Sequence, residues 1–258
     1  MNNARIIAVT KPLLSVNGNV ITQSMTNGIP MNVDEFIAYV ARVSNPSNQS
    51  NTLTATKLLR YLMKHKHVSP FEMVNVVMEI ETTRDIARQI LRHRSFSFQE
   101  FSQRYADPTK AMSFVTREAR LQDAKNRQNS IETEDKELIE QWLRTQCVIQ
   151  HQSKKAYKWA IENGIAKEQA RAILPEGLTT TRLYMSGTLR SWIHYIDVRA
   201  EAGTQKEHRQ VALAAQEEIL KHFPSLKEYW YPLDDLEQTD YGYNFKNEPK
   251  SWWWKFWS

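Results

Sequence analysis

Arg92-His93-Arg94-Ser95-Phe96-Ser97-Phe98-Gln99-Glu100-Phe101-Ser102-Gln103-Arg104-Tyr105 gathers three arginines, a histidine, a carboxylate and three serines around four aromatic rings. Side chains that resist desolvation alternate here with rings that favour burial, a mixture expected at the wall of a pocket. If Thr83 to His93 is helical, Gln89, Arg92 and His93 stand at i, i+3 and i+4 and share one face. If Glu100 to Tyr105 is extended, Glu100, Ser102 and Arg104 point to one side, and Phe101, Gln103 and Tyr105 to the other. A helix end and a strand joined by a short turn then present fixed donors and one acceptor carboxylate, which suits a phosphorylated, hydrogen-bonding ligand.

Outward from this stretch the patterning alternates between strand and helix. Arg5 to Leu14 reads as a strand, Val33 to Val43 and Thr54 to Lys64 as helices, and the β-branched run from Met73 to Ile80 as a partly buried strand. Thr82 or Thr83 caps the helix that leads to His93, with Asp85 favourably placed in its first turn. Lys110 to Thr133 is polar and weakly patterned and reads as a loop or insertion. Glu134 to Glu162 reads as one long helix stopped by Asn163-Gly164, and Lys167 to Ile173 as a shorter one halted before Pro175. Thr179 to Tyr184 is β-prone, whereas Leu189 to Arg199 and Gln205 to His222 are helical. No internal repeat or linker interrupts the pattern, so the expectation is a single mixed α+β domain, an antiparallel or mixed sheet flanked by long helices. The main domain is placed at 1–230 and an aromatic-rich C-terminal extension at 231–258.

The 258 residues, 41% of them hydrophobic, can bury a substantial core. A net charge of +5 favours anionic partners without choosing between nucleotides, phosphorylated cofactors and nucleic acid. The single cysteine, Cys147, excludes an intramolecular disulfide and fits a reducing cytoplasm; no targeting signal or membrane span is read. His151 lies one helical turn from Cys147, but the context is that of a core or surface cysteine rather than a nucleophile. Ser102 has no base among its neighbours and is assigned to binding. His65 and His67 lack the company of a metal site, so no metal is expected. The tail Ser251-Trp252-Trp253-Trp254-Lys255-Phe256-Trp257-Ser258 reads as a docking segment over an apolar groove on its own or a neighbouring subunit, with a membrane-interface anchor as the lesser reading because the segment is short and carries one cation. Arginines with interleaved aromatics also compose single-strand-binding surfaces, so a basic, non-catalytic nucleic-acid-binding protein stands as the alternative to an enzyme.

Arg92-His93-Arg94 followed after seven residues by Ser102 resembles the signature of the flavin-dependent thymidylate synthases. His67-Val68-Ser69-Pro70-Phe71-Glu72, Ala87-Arg88-Gln89, Ala170-Arg171-Ala172-Ile173-Leu174-Pro175, Leu189-Arg190-Ser191-Trp192 and Asp197-Val198-Arg199-Ala200 are similar to further motifs of that family, in order. The resemblance implies reductive methylation of dUMP to dTMP, with methylenetetrahydrofolate as carbon donor, NADPH as reductant and FAD as hydride carrier. It also implies a homotetramer whose active sites are shared between subunits; no nucleic-acid or membrane partner is expected. The absence of a Gly-x-Gly-x-x-Gly segment does not oppose a flavin, because the family does not use that fingerprint.

Carried onto this sequence, the resemblance places Gln89, Arg92, Glu100, Ser102, Gln103, Arg104, Arg171 and Arg199 around dUMP. It places Ser69, Glu72, Arg92, His93, Arg94, Ser95, Glu100, Thr188, Leu189, Arg190, His194 and Val198 around FAD. Arg199 is the expected catalytic residue: a fixed guanidinium stabilises negative charge that develops over O4 and N3 when C5 of uracil is activated. Three positions depart from the family pattern: Met73 where histidine can follow Phe-Glu, Gln103 where glycine is common, and Gly203 where histidine is frequent.

Overall fold

The computed structural model describes residues 3–20, 29–231, 236–239 and 242–245. In chain order the elements are β1 (Asn3–Val9), α1 (Val33–Ala41), α2 (Ala55–Lys64), β2 (Asn75–Thr83), α3 (Arg84–Ile90), β3 (Ser97–Glu100), α4 (Pro108–Ala111), β4 (Arg120–Gln122) and β5 (Ser130–Glu132). They continue with α5 (Lys136–Glu162), α6 (Lys167–Ala170), β6 (Thr180–Thr188), α7 (Leu189–Arg199), α8 (Lys206–His222), α9 (Lys227–Trp230), β7 (Leu236–Thr239) and β8 (Gly242–Phe245). The α+β class expected from the sequence is the one observed. A four-stranded sheet has the order β1-β2-β6-β3, and β4-β5 and β7-β8 form separate antiparallel hairpins. The expected tail at 251–258 lies outside the described residues.

The chain divides into two compact units, the division falling within β2 and again within β6. The unit holding Ile6–Val77 and Ser186–Val198 is built on α1, α2 and α7. Asn32 and Glu35 close a reciprocal capping box that starts α1, Glu35 N–H to Asn32 Oδ1 at 2.9 Å and Asn32 N–H to Glu35 Oε2 at 2.8 Å. Leu59, Leu62 and Met63, at i, i+3 and i+4, bury one face of α2, and α1 packs against α2. Trp192 of α7 is fully buried and gives its indole N–H to the Val76 carbonyl at 3.1 Å, which satisfies its one donor.

The other unit holds Met78–Met185 and Arg199–Ala214. Here β2 and β6 alternate as their period of two requires: Met78, Ile80, Leu183 and Met185 are buried, while Glu79, Glu81 and Arg182 face the other way. That second face is charged and paired, Arg5 with Glu79 at 2.7 Å and Arg182 Nε with Glu81 at 2.8 Å. Tyr157 and Ala160 of α5 pack with Ala170 and Leu174 into a small core.

Several boundaries differ from the sequence reading. β1 stops at Val9 rather than at Leu14, and α3 stops at Ile90. Beyond it Arg92 N–H bonds to Gln89 O and His93 N–H to Ile90 O, so bonding to the third residue back replaces helical bonding and Arg92 and His93 stand on a turn. The expected strand from Glu100 to Tyr105 is a correction in kind: β3 is Ser97–Glu100, and 102–106 form a turn. Ser102 makes that turn, its carbonyl accepting from Tyr105 and Ala106 N–H at 3.2 Å and its Oγ from Arg104 N–H at 3.3 Å. A serine oxygen that captures nearby backbone donors competes with a strand ladder, so Ser102 and Arg104 share no strand face. The expected loop at 110–133 contains the β4-β5 hairpin.

Candidate active site

Within the unit that carries it, the opening stretch meets the end of α7 and the start of α8. Arg199 Nε donates to His93 Nε2 at 2.9 Å, so that nitrogen presents its lone pair to the guanidinium. The terminal nitrogens of Arg199 have no partner among the described residues, which leaves a half-buried cation with donors to spare. The His93 ring stands edge-on to His208, centroids 6.3 Å apart. His208 is fully buried, and its pKa is lowered to about 3 by burial, then by the neighbouring Arg199 charge and by His93; it is neutral near pH 7.

Gln89 reaches the same place from α3. Its Oε1 lies 3.1 Å from His208 Nδ1, and its Nε2 donates to Gln205 Oε1 at 2.7 Å. Gln205 Nε2 donates in turn to Glu207 Oε2 at 2.9 Å. Burial pushes the Glu207 carboxyl up, but hydrogen bonds from Arg120, its own backbone and Gln205, with the Arg117 charge, outweigh burial and hold its pKa below the ordinary value. Arg117 is a hub: it pairs with Glu207 at 3.2 Å, bonds Asp85 Oδ1 at 2.8 Å and Thr83 Oγ1 at 2.6 Å, and donates to the Gly177 carbonyl. Beside the network a cavity of about 100 Å³ is lined by Arg120, Asn129, Glu132, Gln205, Lys206 and Arg209, among others. Its cations Arg120 and Lys206 are paired with Glu207, Glu118 and Glu132.

The other expected nucleotide residues fall into separate groups. Glu100 is held from inside, its Oε1 accepting from Thr181 Oγ1 at 3.0 Å and from Arg84 at 3.2 Å; Arg84 is buried, and burial lowers its pKa. Arg104 pairs with Glu168 at 3.2 Å, and Arg171 Nε donates to the Glu168 carbonyl, so Glu168 draws these two arginines together. An open groove of about 220 Å³ runs along Arg104, Tyr105, Ala166, Lys167 and Glu168, its rim carrying the exposed Tyr105 ring. Gln103 is buried, whereas Arg92, Arg94 and Ser95 are exposed.

The remaining expected flavin residues belong to the other unit. Glu72 accepts from Thr188 Oγ1 at 2.9 Å and pairs with Arg190, and the Arg190 hydrogen bond, ahead of Thr188, holds its carboxyl below the usual range against burial. Thr188 Oγ1 also accepts Ser191 N–H at 3.2 Å, capping the start of α7. Ser69, His194 and Val198 are exposed, while Leu189 is fully buried with its N–H given to the Val74 carbonyl. Met73 is exposed, and a Cβ at Gly203 would meet nothing within 4 Å, so both departing positions have room for other side chains. Cys147 is exposed, and no cluster of three His, Cys, Asp or Glu side chains suited to a metal occurs among the described residues.

Sequence reasoning missed His208, Gln205, Glu207 and Arg117. Glu207 and His208 stand two and three residues after Gln205 on a segment read only as amphipathic, and the available signal was an unbroken polar run, Gln205-Lys206-Glu207-His208-Arg209-Gln210, at the start of a helix that elsewhere buries apolar residues.

Residues 29–225 match the profile of the thymidylate synthase complementing protein family. The chain is 48% identical over 224 residues to a flavin-dependent thymidylate synthase of Synechocystis, covering 87% of this chain and 97% of that one. It is also 48% identical over 225 residues to a probable flavin-dependent thymidylate synthase of Paramecium bursaria Chlorella virus 1, covering 87% and 96%. A UMP/dUMP methylase from Streptomyces cacaoi, solved with 5-Br dUMP, superposes with a TM-score of 0.71 at 22% identity, over 89% of this chain and 94% of that one. The fold and these matches define an enzyme of the thymidylate synthase class. This chain belongs to the flavin-dependent thymidylate synthase family.

Proposed function

We propose that the chain methylates dUMP to dTMP, with methylenetetrahydrofolate giving the carbon and NADPH the reducing equivalents, through bound FAD. The observation that carries the reading is the Arg199 guanidinium, fixed through Nε by His93 with its terminal nitrogens uncommitted. A cation held in one orientation stabilises charge that grows on a ring oxygen and nitrogen without having to reorganise. Arg199 would thus favour the form of uracil that is nucleophilic at C5. Gln89 adds a carboxamide, and Arg104 and Arg171, gathered at Glu168, offer guanidinium forks to a phosphate.

The donor set also fits FAD. Arg92, Arg94 and Ser95 are exposed donors in the signature, the chemistry a diphosphate requires; in the other unit, taken by itself, Ser69, Arg190 and His194 are exposed polar groups. When bound, FAD supplies the hydride chemistry; the chain's own residues bind and orient it. The catalytic region is assigned to 1–230 and the C-terminal extension to 231–258. A cytoplasmic setting agrees with a lone thiol, and no helix among the described residues is long and apolar enough to cross a membrane.

The chain assembles as a homotetramer with shared sites in this reading, and α5 supports the assembly part of it. Leu138, Trp142, Gln146, Ile149, Ser153, Tyr157 and Ala160 follow one another at steps of three or four along one face. Tyr157 and Ala160 are buried in their own unit, yet Leu138, Trp142 and Ile149, on the same stripe, are exposed. Large apolar side chains left exposed along a face that is otherwise buried call for another surface to cover them.

The test is tritium release from dUMP labelled at C5 in the presence of FAD, NADPH and methylenetetrahydrofolate. Release that depends on all three supports the reading, and no release from a protein loaded with flavin overturns it. Arg199→Ala is expected to keep its flavin absorbance and lose at least about a hundredfold in turnover, the scale of losing one preorganised electrostatic donor.

A further inference from the structure

The polarity of the hydrogen-bond chain around Gln89 can be worked out from its charged end. Glu207, its pKa lowered, is an ionised carboxylate near pH 7 and therefore accepts only. Its Oε2 faces Gln205 at 2.9 Å, so Gln205 must present its NH2 to Glu207 and its carbonyl oxygen to Gln89. Gln89 lies 2.7 Å from that oxygen and must present its own NH2 there. Its Oε1 is then turned to His208, 3.1 Å away, and can only accept. His208 Nδ1 must therefore carry the proton. The ring is neutral, so Nε2 does not.

We propose that His208 is a positioning residue: it holds the Gln89 carboxamide in the single orientation in which Gln89 meets the nucleotide as a hydrogen-bond donor. One N–H of Gln89 is given to Gln205; the second has no partner among the described residues and belongs to a half-buried side chain. That N–H would face an acceptor on the substrate, a carbonyl or phosphate oxygen. Without the donor at His208 Nδ1, Gln89 Oε1 loses its partner and the carboxamide, tied only through one N–H to Gln205, is free to swing its second N–H away from the substrate acceptor. The inference rests on the reading of Gln89 as a dUMP contact.

The experiment measures dUMP dissociation by isothermal titration calorimetry on flavin-loaded protein, with wild type, His208→Leu, His208→Asn and Gln205→Leu. Asparagine places an amide N–H near the position of Nδ1, whereas leucine fills the volume without a donor. The expected result is about tenfold weaker dUMP binding in His208→Leu, recovery to within about twofold in His208→Asn, and unchanged flavin content in both, a tenfold change being that of one hydrogen bond. Gln205 is half-buried and tolerates substitution, so Gln205→Leu keeps the test open should His208→Leu not fold; it is expected to weaken dUMP several-fold by freeing the other end of the amide. Equal affinity in His208→Leu and His208→Asn, or wild-type affinity in Gln205→Leu, overturns the proposal. A wild-type protein that binds no dUMP overturns instead the functional reading on which it rests.

Discussion

Asp34 enters α1 in its first turn, where a carboxylate is ordinarily welcome beside the helix N-terminus. Here burial pushes its pKa up, Ser225 softens the rise without making a hydrogen bond of proper geometry, and Glu35 adds to it. Both Asp34 Oδ1 and Ser225 Oγ are buried without a partner among the described residues. Because the folded pKa is raised, the folded state keeps a proton that the unfolded chain releases above its value of 3.8. The stability linked to that proton is complete below 3.8 and is lost as pH rises through the folded value. Asp34→Asn, neutral at every pH, is therefore expected to be more stable than wild type at pH 8 and to match it near pH 3. Urea midpoints at the two pH values check this, and an equal gap at both refutes the assignment to ionisation.

The long helix α5 carries the prediction that belongs to elements. Trp142 is 43% exposed on a stripe whose continuation at Tyr157 is 1% exposed in its own unit. Trp142→Asp puts a charge where the proposed assembly must exclude water, and is expected to lower the mass in light scattering from about four times 30.2 kDa while helical circular dichroism is retained. A variant of unchanged mass would show that another surface builds the oligomer. Helices of this kind were the legible part of the sequence: α7 has the limits its apolar spacing gives, and α5 begins within two residues of the expected start. Periodicity over several turns averages out local exceptions. The β4-β5 hairpin was not legible, because its residues are mostly exposed and neither strand shows a buried alternation. The turn at Ser102 was misread because period two cannot register a side chain that bonds its own backbone. In the candidate site, local motifs and family resemblance singled out Gln89, His93 and Arg199, and the structure brings them together around His208. Arg117 and Glu207, 90 residues apart, make an ion pair that no local pattern announces.

At the scale of the whole molecule, the buried network makes acid the condition to which this protein responds. His208 has a folded pKa of about 3 against 6.5 for the free side chain, so between these values the unfolded chain binds a proton that the folded one refuses. The sign follows: the stability is present above 6.5 and is lost as pH falls toward 3, at no more than about 1.4 kcal/mol per pH unit for a single group. Glu72 and Glu207, both lowered, lose their contributions further down, as pH passes below the ordinary carboxylate value of 4.5 toward their folded values. Two stages are therefore expected in wild type, a first loss between about pH 6.5 and 4.5 and a steeper one below. His208→Asn retains a donor toward Gln89 but has no proton to bind, so it removes the first stage and leaves the second. Thermal melts of the two proteins from pH 8 to 4 make the comparison, and parallel curves down to pH 5 would mean that burial of His208 does not set its charge. The same neutrality links stability to function: above pH 6.5 the proton on Nδ1 does not change, so the orientation that His208 imposes on Gln89 holds over the whole range in which the substrate is to be bound.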